Sequence, residues 1–535
     1  MSLRNILWIM CDQLRFDYLS CYGHPHLRTP NIDALAARGT RFSRAYVQSP
    51  VCGPSRMSYY TGRYMRSHGS NWNRFPLRVG EPTLGDALRE IGVRPALVGK
   101  THMAADHAGL RRLGIDPRSQ IGVHASECGF EPYERDDGLH PDGSRQRPRY
   151  EQYLAERGYP GDNPWQNWAN SAEDEQGNLL SGWLLENADK PARLRAEDSE
   201  TPYMTRRAMD FIREAQAEGG PWLCHLSYIK PHWPYIAPAP YHEMYGADDL
   251  LPVLRDEIER RDPHPVYAAF LQHRLCKTFQ RDEVRRRVLP AYMGLIGQID
   301  EQIGELMQFV DEQGLSDDTM IVFSSDHGDY LGDHWLGEKD LFHEQAVKVP
   351  LIVVDPRNGA ARGAVCDALV EGIDLAPTFV EALGGEPPNA MEGRSLLPLL
   401  RGEQPGGWRP AVFSEYDYSM QQARVILDQP IRDCRLYMVF DGRWKYIHAS
   451  GFRPMLYDLQ SDPEEFHDLG ADPAREAQRQ RLSRLLLDWA LSDHNRITTS
   501  DERIAGYDQL ASGVLIGYWD EAEVEAERRR RNGGG

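Results

Sequence analysis

The sequence of 535 residues lacks closely spaced cysteines, long apolar runs and an excess of positive charge. Its eight cysteines are scattered without a Cys-x-x-Cys pair, which argues against a zinc ribbon and against a disulfide framework. No apolar run approaches the roughly 20 residues that a membrane-spanning helix needs. Lysine and arginine (61) are fewer than aspartate and glutamate (80), and the net charge of −19 opposes binding to a nucleic-acid backbone.

The N-terminus also lacks the features of a signal peptide, because Met1 is followed directly by the strand-like segment Asn5–Asp12. We therefore expect a cytoplasmic protein with neither a membrane nor a nucleic-acid partner. The composition, 41% hydrophobic and 26% charged, is typical of a globular protein, and the length allows two to four domains. An acidic surface attracts anions poorly, so an anionic substrate would have to be bound by local positive charge.

Short apolar runs separated by amphipathic segments predict an α/β fold with a mostly parallel central sheet, flanked by helices. The predicted strands are Ile6–Met10, Pro95–Val98, Trp222–Tyr228, Met320–Ser324 and Val349–Val354. The predicted helices are Pro30–Arg38, Thr83–Ile91, Thr201–Glu218 and Arg285–Gln313. Ligands of such sheets collect at the carboxyl ends of the strands.

Two further regions have a different texture. Residues 109–190 are rich in Asp, Arg, Gly, Pro and Trp and are predicted to be a loop-rich insertion near the site. A smaller C-terminal subdomain with an antiparallel sheet is predicted from Arg435–Phe440, Trp444–His448, Pro454–Leu459 and the helix Ala474–Ser492. We expect a catalytic domain over 1–402 and a subdomain with a solvated tail over 403–535.

The strongest local signal is the run from Cys52 to Arg56, Cys-Gly-Pro-Ser-Arg, followed by Thr61-Gly62-Arg63. If a helix begins here, its free N–H groups and positive dipole end suit an anionic reacting centre. Arg56, four residues after Cys52, would face the same side and could hold a nucleophile at that position. On its own, the run is equally compatible with a structural cysteine ahead of a helix.

Two carboxylates at predicted strand ends indicate a metal site. Asp12-Gln13 ends the first strand, and Asp326-His327 directly follows the fourth. Carboxylate, amide and imidazole groups in this setting suit a divalent cation such as Ca²⁺, Mg²⁺ or Mn²⁺. Asp12 alone would more often be a turn or capping residue, whereas Asp326 and His327 are costly to bury without partners.

Basic residues follow three of the strands. Lys100 and His102 come after the second strand, His232 comes after the third, and Lys339 lies thirteen residues beyond Asp326. A single Lys or His would usually be a solvated or structural residue. Three clusters at strand ends of one sheet predict convergence above its carboxyl edge.

Taken together, these motifs resemble the sulfatase family of the alkaline-phosphatase-like superfamily, whose members depend on formylglycine. The resemblance covers roughly residues 4–470, and the sequence is close to arylsulfatases, choline sulfatases and phosphonate monoester hydrolases. It is carried by Asp12-Gln13, Cys52-x-Pro-Ser-Arg56, Lys100-x-His102, Lys230-Pro-His232, Asp326-His327-Gly328, Lys339, Asp374–Thr378, Leu456–Leu459 and Asp462-Pro463.

Two positions depart from the usual sulfatase pattern. Gln13 stands where a second Asp is typical, and His327 stands where an Asn is typical. This pairing is similar to choline sulfatases and phosphonate monoester hydrolases. Phosphonate monoester hydrolases, however, have a sequence similar to Cys-Gly-Pro-Ala-Arg at the nucleophile. They also usually lack the pair that Lys100 and His102 form here. The substrate class is the property that these mixed features leave open.

The resemblance implies a formylglycine nucleophile made from Cys52 by the formylglycine-generating enzyme. Its hydrated aldehyde would attack with one hydroxyl and use the other to expel the transferred group. The implied ligands of one divalent metal, Ca²⁺ or Mn²⁺ rather than Mg²⁺, are Asp12, Gln13, the modified Cys52, Asp326 and His327. The other implied catalytic or substrate-binding residues are Arg56, Asn73, Lys100, His102, His232 and Lys339.

Within these roles, His232 would protonate the leaving oxygen and His102 would deprotonate the second hydroxyl. Lys100, Lys339 and Asn73 would stabilise charge on the transferring group. The expected function is hydrolysis of aryl or small alkyl sulfate monoesters, small anionic substrates. A phosphonate monoester or phosphodiester hydrolase is the alternative within the family, and a non-catalytic anion-binding protein is the alternative outside it. We also expect a homo-oligomer.

Overall fold

The predicted strands form the centre of the computed structural model, which describes residues 3–143, 148–492, 495–508 and 510–532. The strands are β1 Asn5–Asp12, β2 Thr40–Tyr46, β3 Arg94–Gly99, β4 Glu131–Arg135, β5 Ser171–Glu173, β6 Leu179–Ser181, β7 Trp222–Pro231, β8 Thr319–Ser325, β9 Lys348–Val354, β10 Ala364–Cys366, β11 Val370–Glu371, β12 Val412–Asp417, β13 Arg435–Phe440, β14 Trp444–Ala449 and β15 Met455–Asp458.

The α-helices confirm the four predicted ones to within a few residues at their ends. They are α1 Pro30–Arg38, α2 Cys52–Thr61, α3 Met65–His68, α4 Leu84–Glu90, α5 His107–Arg112, α6 Gln120–Ser126, α7 Arg149–Glu156, α8 Glu200–Glu218, α9 Pro265–Phe270, α10 Arg274–Phe279, α11 Asp282–Glu312, α12 Glu344–Val347, α13 Leu375–Ala382, α14 Leu397–Leu400, α15 Gln422–Ile426, α16 Glu476–Leu491, α17 Asp501–Ala505 and α18 Glu521–Asn532.

The main sheet has the strand order β10-β2-β9-β8-β1-β7-β3-β4, with β11 paired to β2. The five strands from β8 to β4 are parallel neighbours, and β9 pairs antiparallel with both β8 and β2. The prediction of a mostly parallel sheet is confirmed. Its centre is β1, every residue of which is buried, because helices cover both faces.

Alternate residues of β1 enter different cores, as the two-residue period of a strand requires. Trp8 and neighbours on its face pack with α2, whereas Leu7 and neighbours on the other face pack with α8 and α11. The long helix α11 contributes Tyr292, whose hydroxyl donates to the Gln13 carbonyl at 2.9 Å. Core packing on this face therefore also fixes the carboxyl end of β1.

Three parts of the chain have more regular structure than the sequence analysis predicts. Residues 109–190 contain short helices and strands, and β4 extends the main sheet by pairing with β3. The strand β2 was not predicted, because its charged and small residues Arg41, Ser43 and Arg44 interrupt the apolar pattern. The tail, which was expected to be solvated and irregular, contains the helix α18.

The predicted C-terminal antiparallel sheet is confirmed as β12-β13-β14-β15. Phe413, Val439 and Trp444 pack with Leu482 and Leu486 of α16 in a core of their own. Contacts divide the chain into two units, residues 1–492 and 493–535, and the sheet lies in the first. The predicted boundary near residue 402 stays a prediction.

All eight cysteines are free thiols, in agreement with their scattered positions. No helix within the described ranges is both long and apolar enough to cross a membrane.

Candidate active site

The carboxyl ends of four adjacent parallel strands carry the polar residues singled out in the sequence. Asp12 ends β1, Lys100 directly follows β3, Lys230 lies near the end of β7, and Asp326 directly follows β8. These strands are neighbours in the order β8-β1-β7-β3. The predicted convergence at one edge of the sheet is therefore what the structure has.

The backbone at the end of β1 couples the two predicted metal-binding pairs. The register of β1 shifts between Cys11 and Asp12, and Gln13 adopts a left-handed conformation with φ of 64°. In this conformation the Gln13 N–H donates to Asp326 Oδ1 at 3.0 Å. Asp12, Gln13 and Asp326 are all fully buried.

Residue 52 occupies the first position of α2 and lies at the centre of the site. Its Sγ, which marks the place of the reacting oxygen atoms in a formylglycine, is 3.0 Å from His327 Nε2 and 3.3 Å from Lys339 Nζ. It is 3.9 Å from Asp12 Oδ1. The next N–H along the helix, that of Gly53, donates to Asn73 Oδ1 at 2.7 Å.

Gly53 is required by this close approach. A Cβ at position 53 would lie 2.8 Å from both Cα and Oδ1 of Asn73, so a side chain there would displace the Asn73 segment. Asn73, predicted as a substrate-binding residue, thus supports the start of α2 one residue beyond Cys52.

Arg56 does not make the contact that the sequence analysis expected. Instead of holding residue 52, its guanidinium donates to Asp326 Oδ2 at 2.8 Å and to Asp12 Oδ2 at 2.9 Å. A further N–H group donates to the Lys100 carbonyl and to Ser227 Oγ. The reason is electrostatic: two buried carboxylates at adjacent strand ends need a buried countercharge, and the side chain is long enough to reach both.

Two lysines complete the ring of charges. Lys100 Nζ lies 2.9 Å from Asp12 Oδ2. Lys339 Nζ donates to Gln13 Oε1 at 2.9 Å as well as to residue 52. Burial by itself would raise the pKa of Asp12, but Lys100, His232 and Arg56 outweigh it and hold that pKa well below its usual range. Asp12 is therefore ionised at neutral pH.

Hydrogen bonds to the main chain set the tautomers of two histidines. His327 Nδ1 lies 2.8 Å from the Gly328 carbonyl, and His232 Nδ1 lies 2.6 Å from the Trp233 carbonyl. Since a carbonyl only accepts, Nδ1 carries the hydrogen in both rings and Nε2 carries the lone pair in the neutral form. The Nε2 of His232 lies 3.9 Å from Asp12 Oδ1.

Burial lowers the pKa of each of these histidines. For His232 the neighbouring Lys100 adds to the effect, and for His327 Lys339 does so, partly opposed by Asp326. A neutral His327 whose Nε2 lone pair points toward residue 52 has the form in which imidazole binds metal ions.

His102 is held by its backbone and leaves its ring free. Its N–H and that of Thr101 donate to Asp137 Oδ1 at 3.0 and 2.9 Å, and its φ is 57°. Neither ring nitrogen has a hydrogen-bond partner in the part of the chain that the structure describes. Burial and Lys100 lower the pKa of His102, and Cys52 opposes them.

The donor set fits a divalent metal ion. One ligand atom each of Asp12, Cys52, Asp326 and His327 lies within 4.8 Å of all the others. The Gln13 amide adds an oxygen beside them. Its nitrogen donates to Asp329, so its oxygen points the other way, toward Lys339 and residue 52. Oxygen-rich ligation with one imidazole suits Ca²⁺, Mn²⁺ or Mg²⁺.

The sheet edge, the start of α2 and the loops that contain Asn73 and Lys339 thus bring together the eleven residues predicted from the sequence, whose individual roles stay predictions. Residues 4–385 match the model described as Sulfatase, and residues 332–491 match the one described as N-sulphoglucosamine sulphohydrolase, C-terminal. The first match covers more than half of the chain.

The chain belongs to the sulfatase family. Members of this family typically use a metal ion and a formylglycine, and the buried donor set around residue 52 agrees with both. This sulfatase is therefore a hydrolase that acts on sulfate or phosphonate esters. Its sheet and C-terminal subdomain have the alkaline-phosphatase-like fold that the resemblance implies.

Relatives of this sulfatase have names from both substrate classes. Multifunctional alkaline phosphatase superfamily protein PehA of Trinickia caryophylli is 34% identical over 93% of this chain and 97% of its own. An arylsulfatase of Clostridium perfringens is 26% identical over 94% and 98%. The structure of phosphonate monoester hydrolase SpPMH from Silicibacter pomeroyi is 31% identical, with a TM-score of 0.80 over 95% of this chain and 100% of that one.

Sequence reasoning missed a group of residues behind the Gln13 amide. The carboxylate of Asp329 accepts hydrogen bonds from Gln13 Nε2, from the Tyr235 hydroxyl at 2.7 Å and from the Leu331 N–H at 2.9 Å. Burial raises the pKa of Asp329 to about 6, so it is ionised at neutral pH. Its position two residues after His327 was the one available signal.

Asp329→Asn is expected to weaken metal binding by about tenfold, a usual effect of losing a hydrogen-bond partner of a metal ligand. Three donors meet the two oxygens of Asp329, whereas Asn has one oxygen to offer them. Either the Gln13 amide turns its nitrogen toward the metal or the Leu331 N–H loses its acceptor.

Equilibrium dialysis against Mn²⁺ and Ca²⁺, followed by metal analysis, measures the effect. Tyr235→Phe is the matched control, because it removes a donor to Asp329 and the distant second acceptor of Gln13 Nε2, at 3.5 Å, but leaves Asp329, its close acceptor, in place. Equal affinities in Asp329→Asn and the wild type would show that Asp329 does not orient the amide.

Proposed function

We propose that this sulfatase hydrolyses singly charged esters with a formylglycine at position 52. The substrates are aryl or small alkyl sulfate monoesters, with phosphonate monoesters and phosphodiesters as further substrates of the same centre. The observation that carries the proposal is the position of Cys52 Sγ, in contact with His327 Nε2 and Lys339 Nζ at the start of a helix. A structural cysteine has no need of a metal-binding imidazole and a buried ammonium group.

Asp12, Gln13, Asp326, His327 and residue 52 would hold one metal ion, for which we propose Ca²⁺ or Mn²⁺. When bound, such a cation supplies Lewis acidity, and the formylglycine supplies a nucleophile at neutral pH. The formylglycine-generating enzyme is the proposed maturation partner, acting on the Cys52–Arg56 run.

Positive charge in the site favours an anionic substrate despite the acidity of the whole chain. Arg56 and Lys100 pair with Asp12 and Asp326, and Lys339 lies 3.6 Å from Glu338, so these six groups balance in charge and a bound divalent cation would supply the positive excess. The amide of Gln13 adds no negative charge. We expect this local field, rather than the net charge of −19, to govern substrate binding.

Each basic residue has a proposed task. Lys339 and Lys100 stabilise charge on the transferring group, and Asn73 fixes the start of α2 beside it. His102, with two unpaired ring nitrogens, accepts a proton from residue 52. His232 donates a proton to the leaving oxygen through Nε2. It does so as an imidazolium, a form that a bound anion favours over the neutral one.

Charge alone does not separate sulfate from phosphonate monoesters, because both carry a single negative charge. The sequence analysis favours sulfate through Lys100 and His102, whereas the phosphonate monoester hydrolase SpPMH is 31% identical to this chain. Parallel specificity constants for an aryl sulfate, a phenylphosphonate monoester and a phosphodiester test the proposal. Turnover of none of them by metal-loaded, formylglycine-containing protein would favour the non-catalytic anion-binding alternative.

Lys100→Ala is expected to lower kcat/KM for an aryl sulfate by about a hundredfold or more, the usual effect of removing one positioned cation. The loss for a phenylphosphonate monoester should be smaller, if Lys100 serves sulfate transfer as proposed. Kinetics of both esters with the same preparation measure the ratio. An equal loss for both would contradict a sulfate-specific role of Lys100, and Lys277→Ala, an exposed lysine of α10, is the control.

A further inference from the structure

A cavity of about 800 Å³ lies beside the candidate active site. It is formed by the segment Gly182–Glu186, by Trp233–Tyr235 after β7, and by residues of α10 and the first turns of α11. Ligand pockets typically have volumes of roughly 300–1,000 Å³ and apolar walls with a few polar groups. The cavity has this size, and none of the eleven residues of the site lines it.

Trp233 connects the cavity to the reacting centre. It directly follows His232, the proposed acid for the leaving oxygen, and the centroids of the two rings are 4.5 Å apart. The Trp233 indole N–H donates to Glu338 Oε1 at 2.8 Å, and the same oxygen lies 3.6 Å from Lys339 Nζ. A leaving group bound beside His232 would therefore contact Trp233 if it extends toward the cavity.

The aromatic walls of the cavity are fixed in place. Trp183 packs edge-on against Trp233 with centroids 6.2 Å apart, and its N–H donates to Gln166 Oε1 at 2.8 Å. Trp183 and Leu184 are nevertheless 36% and 53% exposed. Large apolar side chains exposed at the rim of a concave surface are typical of binding sites.

The charged residues of the cavity leave two cations uncompensated. Arg281 is paired with Glu283 at 3.1 Å. Arg274 and Arg287 also line the cavity, and no carboxylate of the described residues lies within 4.0 Å of either guanidinium, although Arg287 donates one hydrogen bond to the Glu186 carbonyl at 2.9 Å. Glu186 is the remaining carboxylate of the lining, so positive charge is in excess here on a chain with a net charge of −19.

We propose that this cavity is a subsite for the distal part of an aromatic leaving group, and that this part carries a second anionic group such as a carboxylate. The inference rests on the proposed function, because it assigns the leaving group to the side of His232. Trp183 and Trp233 contact the aromatic part, and Arg274 and Arg287 bind the distal anion by charge-assisted hydrogen bonds.

Two esters that differ in one distal charge test this subsite: 4-biphenylyl sulfate and its 4′-carboxylate. The wild type should have the lower KM for the carboxylated ester. Arg274→Ala and Arg287→Ala should each raise that KM about tenfold, the effect of losing one hydrogen bond to a charged group. The KM for the ester without the carboxylate and both kcat values should stay unchanged. Arg286→Ala, an exposed arginine of α11 outside the lining, is the matched control.

Equal KM values of the wild type for the two esters, or equal effects of the arginine variants on both, would overturn the subsite while the proposed function stands. Trp183→Ala should raise the KM of both biphenylyl esters and leave a small alkyl sulfate unaffected. Hydrolysis of neither biphenylyl ester would also contradict the subsite. If small esters are not hydrolysed either, the proposed function fails with it.

Discussion

Cys52→Ala is expected to abolish turnover of sulfate and phosphonate esters alike, by about 10⁵–10⁶-fold, as the loss of a catalytic nucleophile does elsewhere. The thiol lies within hydrogen-bonding distance of both the His327 imidazole and the Lys339 ammonium group. Because the alanine removes only one buried sulfur, the fold should persist, and circular dichroism should match the wild type. Initial rates with both esters measure the effect.

Cys52→Ser tests the need for the second hydroxyl, because serine has one hydroxyl where a hydrated formylglycine has two. A serine can accept the transferred group with its single hydroxyl but has no second one to expel it. We expect one equivalent of alcohol or phenol per site, then no further release, and a mass increase on the peptide that contains residue 52. Continuous turnover by Cys52→Ser or Cys52→Ala would contradict a formylglycine nucleophile.

Asp326→Asn is expected to remove both metal binding and turnover, the latter by about a thousandfold or more. Asp326 joins three parts of the site: it accepts from the Gln13 N–H and from Arg56, and its carboxylate belongs to the donor set around residue 52. The isosteric amide keeps the shape of the side chain and loses the charge that balances Arg56. Metal content and specificity constants are measured on the same protein.

Asp333→Asn is the matched control for this change. Asp333 is an equally buried carboxylate that pairs with a buried arginine, Arg15, at 2.6 Å outside the site. Its loss should lower stability without changing the metal content, by less than the roughly 3–5 kcal/mol of a fully broken buried pair, because Asp17 still pairs with Arg15 at 2.6 Å. If Asp326→Asn keeps its metal and its activity, the ion is bound elsewhere.

The central strands could be predicted because they are buried on both faces. A strand such as β1 is an uninterrupted apolar run, and its Asp12 marks the point where the run ends. The strand β2, by contrast, lies one strand from the sheet edge and exposes Arg44, so its apolar signal is broken. The candidate site residues came partly from residue types at strand ends, such as Asp12 and Asp326, and partly from the family resemblance, which alone supplied Asn73; their roles stay predictions.

Contacts between distant segments could not be predicted. The sequence spacing placed Arg56 near residue 52, but the structure gives its hydrogen bonds to carboxylates on two strands. Likewise, nothing in the sequence indicates that Asp329 accepts from both Gln13 and Tyr235, which lie 316 and 94 residues away. Such partners depend on the order of strands in the sheet, which the sequence pattern leaves open.

The most direct test of the account is the dependence of both activities on the modification of residue 52. Preparations with different degrees of conversion are compared, with the formylglycine fraction measured by peptide mass spectrometry and turnover measured for an aryl sulfate and a phenylphosphonate monoester. The account predicts that both rates rise in proportion to the formylglycine fraction, in a constant ratio, and extrapolate to zero without it. Full activity toward either ester in protein that contains only unmodified Cys52 would contradict it.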